Sequence, residues 1–156
     1  NCVRELQKAF PALAEPMQSF DTLVRSQSLE ALEELYTQTF DVTPVTSLYL
    51  GYHLFGETPK RSVFLVKLQE AYEAHSFSSG MELADHLGVL LRFLSVTRDR
   101  EFAGPLLEEC LVPTVTMMEE ELKKNKNEYA PVISALRMLL EQVSRRLAKT
   151  GGGPHA

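Results

Sequence analysis

Histidine is the side chain best suited to move protons or hold a metal near neutral pH, and the chain carries four, at positions 53, 75, 86 and 155. His53 and Glu57 stand four apart, a spacing that shares one face of a helix, but Gly56 intervenes and reads as the helix end. His53 therefore reads as a core histidine bonded to a neighbour. His86 follows Asp85, about 100° away around a helix, so the two do not face each other. His75 precedes a loop and His155 lies in the tail; both read as solvated. Cys2 and Cys110 have neither a CxxC partner nor metal-ligand spacing. They read as reduced thiols, Cys110 as a small core residue. HExxH, a Gly-rich phosphate loop and GxSxG are all absent from the sequence. The expectation is a protein without catalytic residues or a metal site.

The acidic residues near bends hold more interest. Asp41, Glu57, Glu82 and Asp85 fall at or beside turns. Asp41 reads as a turn or capping side chain, and Glu82 as the capping-box partner of Ser79. Brought together in space, the four would make a negative site for arginines or an amine. Arg145-Arg146 closes the last helix, where cations complement the helix dipole. The run Glu119-Glu120-Glu121 with Lys123, Lys124 and Lys126 reads as a solvated helix end.

Helices must position these residues. Residues 2–9 and 12–26 read as two pieces, broken at Phe10-Pro11 because a residue before proline avoids the helical region. Ser28 is the expected N-cap of a helix burying Leu29, Leu32, Leu35, Tyr36 and Phe40. From Thr46 to Phe55 the pattern is apolar nearly all round, with only Ser47 and Gly51 left for solvent. That pattern predicts a central helix too short to span a bilayer. Thr58-Pro59 opens a helix to about Ser76 that buries Val63, Phe64, Leu68 and Tyr72. A capping box at Ser79 opens another, with Leu83, Leu87, Leu90, Leu91 and Leu94 on one stripe and Asp85, Gly88 and Arg92 opposite. Pro105 and Pro113 interrupt the stretch 99–125, and a segment from Thr114 to Lys124 is expected beyond Pro113. A last helix, about 128–149, buries Val132, Ile133, Leu136, Leu139, Leu140, Val143 and Leu147. No window reads as a strand. The fold class is all-α, a single helical bundle of about seven to eight helices over residues 1–150, with a disordered tail at 151–156.

The totals agree with that class. At 156 residues the chain is the size of one domain and can bury a core without staples. A hydrophobic share of 44% and a charged share of 24% exclude disorder and a membrane-embedded protein. A net charge of -5 argues against a nucleic-acid surface and suits a basic partner. No secretory signal is visible in the first thirty residues. The first residue is Asn1 rather than Met, as if a few native residues were missing.

Four ordered blocks over residues 28–94 carry a resemblance. They are YTQTFD at 36–41, LYLGYHLFGE at 48–57, Arg61 with Leu65, Leu68 and Tyr72, and ELADHL at 82–87 followed by Arg92-Phe93-Leu94. Together they resemble the NarJ-type nitrate reductase assembly chaperones, within the wider group of redox-enzyme maturation proteins. Two positions depart: Ala84 stands where the family usually has proline, and Arg92 where it often has glutamate. What the resemblance implies is a cytoplasmic, all-α, non-enzymatic chaperone for one molybdopterin oxidoreductase. Such a protein binds the N-terminal peptide of the catalytic subunit, often a twin-arginine signal or its remnant, while molybdenum cofactor is inserted. The chaperone itself would carry no cofactor. Peptide contact is expected at Asp41, Tyr49, Glu57, Glu82, Asp85 and His86, with His53 and Phe40 shaping the core beneath. A carrier of a small molecule or cofactor and a general helical adaptor are the alternative readings.

Overall fold

Phe10, at φ −139° and ψ 79°, is held out of the helical region ahead of Pro11, and this single residue separates the first helix from everything after it. The computed structural model describes residues 2–151. In chain order the helices are α1 (Cys2–Ala9), α2 (Ala14–Ser26), α3 (Leu29–Phe40), α4 (Leu50–Phe55), α5 (Pro59–Ala74), α6 (Leu87–Val96), α7 (Arg100–Pro105), α8 (Val112–Lys124) and α9 (Ala130–Gly151). A 3₁₀ turn (Pro11–Leu13) precedes α2, and a π-helical stretch (Leu106–Leu111) joins α7 to α8. Among the described residues there is no β-strand, only an isolated antiparallel bridge between Tyr49 and His86. The expected all-α class is what the chain adopts. The expected tail lies outside the described residues except for Gly151, which ends α9.

The chain divides into two compact units. One comprises Asn1–Thr46 with Val115–Ala156, and the other Ser47–Thr114. In the first, the Ser28 hydroxyl caps α3 by accepting from the Ala31 amide, as its position in the sequence predicts. Phe20, Tyr36, Phe40 and Tyr129 form a ring cluster with centroids 4.9 to 6.4 Å apart. Beside it the Asn127 side chain donates to Thr39 Oγ1 at 2.9 Å. Leu13, Val115, Met118, Leu122, Ile133 and Leu140 supply the apolar core of this unit. One reading of the sequence is overturned here. Glu119 is buried rather than solvated: Lys123, Ser134 and Arg137 all donate to its carboxylate, tying α8 to α9. Leu29, expected inside, is exposed at the first position of α3.

The second unit departs further from local pattern. The predicted helix over 46–55 begins only at Leu50, because Tyr49 is extended and the backbone on either side of it pairs with 85–87. Leu50 N–H donates to the Asp85 carbonyl at 2.9 Å, and Leu87 N–H to the Leu48 carbonyl at 2.8 Å. Gly51, expected at the surface, is buried, while Tyr52 is half exposed. Gly56 ends α4 at φ +60° and ψ −152°, a conformation open essentially to glycine alone. Thr58 precedes Pro59 at the start of α5 as expected, but its hydroxyl donates back to the Phe55 carbonyl instead of capping. Within α5, Leu68 and Tyr72 are buried whereas Val63 is 57% exposed.

The predicted capping box at Ser79 does not form a helix. Residues 78–86 make turns, α6 starts at Leu87, and Leu83 is exposed. Pairing with 48–50 keeps this segment out of helical geometry. The segment expected to begin or kink at Pro113 is α8, which starts one residue earlier at Val112, ends at Lys124 as expected and follows the π-helical stretch without a gap. A proline clashes with the carbonyl four residues before it. The wider turn ahead of Pro113, in which Val112 N–H reaches the Leu107 carbonyl five residues back, relieves that clash.

Candidate functional site

Asp85 anchors the site from below. Its carbonyl accepts from Leu50 N–H, and its carboxylate oxygen Oδ2 accepts from Gly51 N–H at 3.0 Å. Two amides at the start of α4 that no intrahelical carbonyl could satisfy are thus capped by a single residue far along the chain. The carboxylate is fully buried and needs a charge partner, which Arg61 on α5 supplies, Nε to Oδ2 at 3.1 Å and a terminal nitrogen to Oδ1 at 3.5 Å. A β-carbon on Gly51 would lie 2.6 Å from Asp85 Oδ2 and 2.9 Å from Arg61 Cγ. The helix, the loop and the arginine can approach this closely because that residue is glycine.

Tyr49 stands above this pair. The Arg61 guanidinium carbon lies 5.9 Å from the centre of its ring, and the His86 ring meets it edge-on at 5.2 Å. Its hydroxyl donates to Glu82 Oε2 at 2.8 Å, across 33 residues of sequence. His86 caps α6: Nδ1 accepts from Gly88 N–H at 3.1 Å, which leaves the ring proton of neutral His86 on Nε2. Glu82 is exposed and is flanked by exposed Met81 and Leu83. A carboxylate between two apolar side chains at a turn suits a peptide with a cation beside apolar residues.

The turn is fixed from beneath by Tyr72, whose hydroxyl donates to the Ala84 carbonyl at 2.6 Å. Burial, with the Asp85 charge nearby, pushes the Tyr72 phenol well above its ordinary range, so it remains a donor. Ala84, where proline was the expected family residue, is thereby held without a ring. Arg92, the second departure, donates to the Ser79 carbonyl at 3.3 Å and lies 5.6 Å from the Phe77 ring centre, pinning the other end of the same loop.

Of the six residues expected to contact a peptide, Tyr49, Glu82, Asp85 and His86 come together. Glu57 is exposed two residues beyond α4, and no hydrogen bond or ion pair joins it to this cluster. Asp41 belongs to the other unit, where it ends α3. Asp85, expected on the wet side of a helix, is instead the buried member. Gly51 and Arg61 were not among the expected site residues. An isolated glycine inside an apolar run was the available signal for the first. The partner of Arg61 is 24 residues away, so no local pattern marked it. His53 is the expected bonded histidine, with Nε2 and the Ser47 carbonyl 2.8 Å apart. Among the described residues, no group of three or more His, Cys, Asp or Glu could hold a metal ion.

Residues 5–143 match the model of the family described as nitrate reductase delta subunit. The chain belongs to that family. One relative, the probable nitrate reductase molybdenum cofactor assembly chaperone NarJ of Bacillus subtilis strain 168, is 31% identical over 140 residues. That alignment covers 89% of this chain and 75% of the relative. The NarJ chaperone of Escherichia coli K12 is 30% identical over 102 residues, covering 65% of this chain and 42% of its own length. The chain thus aligns with less than half the length of the Escherichia coli relative. The NarJ-type resemblance read from the four sequence blocks is borne out, and a member of this family of assembly chaperones is not an enzyme. No helix among the described residues is long and apolar enough to cross a membrane.

Proposed function

We propose that this protein is a cytoplasmic assembly chaperone for the catalytic subunit of a nitrate reductase or a related molybdopterin oxidoreductase. It holds the N-terminal peptide of that subunit until molybdenum cofactor has been inserted. The cofactor belongs to the client, and the chaperone carries none of its own. The family match over residues 5–143 carries this reading.

The cluster around Tyr49 supports the peptide part of it. Glu82 supplies an exposed carboxylate for a guanidinium, and its Tyr49 bond orients it. Met81 and Leu83 offer apolar surface on each side. Exposed Val63 and Val66 on α5 add further apolar surface within the same unit. His86 holds the loop through Nδ1, and Asp85 holds it through the Leu50 and Gly51 amides while Arg61 closes over its carboxylate. Glu57 and Asp41 contribute charge on their own elements.

Calorimetric titration of the chain with an N-terminal peptide of a nitrate reductase catalytic subunit tests the reading. Binding should weaken as salt rises, because paired exposed charges are screened. Glu82→Gln should cost about tenfold in affinity, the worth of one charge-assisted bond. No heat of binding at low salt, or affinity indifferent to Glu82, would sink the peptide-binding reading.

A further inference from the structure

We propose that Asp85 and Tyr49 form a guanidinium seat filled in the free protein by the chain's own Arg61, which competes with an arginine of the client peptide. The inference rests on the peptide-binding reading and deepens it. Asp85 presents both oxygens to Arg61, at 3.1 and 3.5 Å, the two-point approach a planar fork can make and an ammonium cannot. Gly51 N–H fixes Oδ2 from a third direction, so the carboxylate is aimed before any ligand arrives. The Tyr49 ring provides a π surface for the same cation. Asp85 has no exposed surface, whereas the Arg61 side chain keeps 21% of its own in solvent. The arginine is the stopper of the seat, and moving it opens the carboxylate to an outside ligand.

Glu82 lies at the hydroxyl end of that same ring and faces solvent. A peptide with two neighbouring arginines can place one on Glu82 and use the other to displace Arg61. The exchange replaces one carboxylate–guanidinium pair by another, so no buried charge is left alone once it is complete. A tethered side chain competes at an effective concentration in the millimolar range. A ligand with one arginine gains too little to displace it, and a paired ligand is selected.

Arg61→Ala tests this, with methylguanidinium as the probe and methylammonium as its control. In the variant, millimolar methylguanidinium should raise the unfolding temperature, and methylammonium should not. Wild type, its seat filled, should respond to neither, and Arg61→Ala with Asp85→Asn should lose the response. If the single variant does not fold unaided, its recovery on refolding with methylguanidinium but not methylammonium reads the same seat. Absence of any methylguanidinium effect in both assays overturns the proposal. The competition is read by titration with the client's arginine peptide and its lysine counterpart. If Arg61 vacates the seat about a tenth of the time, its removal should tighten the arginine peptide about tenfold. A rescued variant that binds this peptide more weakly than wild type overturns the competition. Failure of wild type to bind the peptide overturns the client reading instead, and the methylguanidinium response then decides the seat by itself.

Discussion

Replacing Glu119 by Gln should destabilise the protein in a way that depends on pH. Burial of the Glu119 carboxylate by itself would raise its pKa. The donors Lys123, Ser134 and Arg137, with the Arg137 charge, outweigh that and hold it at about 2, against an ordinary 4.5. A depressed carboxylate pKa contributes stability that is fully present above the unfolded value and lost as pH falls toward the folded one. The difference corresponds to about 3 kcal/mol at neutral pH, at about 1.4 kcal/mol per unit. Gln cannot ionise and turns an amide toward donors, so Glu119→Gln should lose about that amount at pH 7. At pH 3 wild type itself retains only about 1.5 kcal/mol of the term, and the gap between the two proteins should shrink to match. Urea unfolding of both proteins across this range, with midpoints and slopes compared, reads the gap directly. A gap that stays constant with pH, or one below about 0.5 kcal/mol at pH 7, would refute the assignment of Glu119 as the ionised clamp between α8 and α9.

Three other outcomes follow from the same structure. Gly51→Ala should cost about 3 kcal/mol in urea unfolding, because its β-carbon would push apart Asp85 and Arg61 and leave a buried charge poorly paired. Gly56→Ala, with nothing within 4 Å of the added carbon, should cost about 1–3 kcal/mol through backbone strain alone and should leave peptide affinity unchanged. Ser28→Ala should cost about 1 kcal/mol, the worth of one N-cap, measured by thermal unfolding at neutral pH.

Where a residue acts on its near neighbours in sequence, the sequence was enough. The break at Phe10-Pro11, the Ser28 cap, the proline opening of α5 and the glycine that ends α4 each depend on side-chain or backbone preferences within one turn. The all-α class and the apolar stripe of α9 follow from period alone. Four blocks in order also identified the family, because paired aromatic, glycine and acidic positions in fixed sequence are rare by chance.

What the sequence left undecided involves partners far along the chain. Residues 46–49 read as the start of a helix, yet Tyr49 is extended and the bonds that Leu48 and Leu50 make with 85–87 delay the helix to Leu50. Ser79 and Glu82 have the spacing of a capping box, yet Glu82 turns to Tyr49 instead. Asp85 looks like a solvent-facing acid until Arg61 and the Gly51 amide are brought to it. Glu119 looks like one of a charged run until α9 supplies Ser134 and Arg137. For Asp85 and Glu119 a charge that water could satisfy in the unfolded chain must find a protein partner once buried. Sequence by itself thus set the all-α class, the helix ends that carry a local signal, and the family. Tertiary structure decided which acids are buried and which face solvent, because burial makes a charge choose a partner that local spacing does not contain.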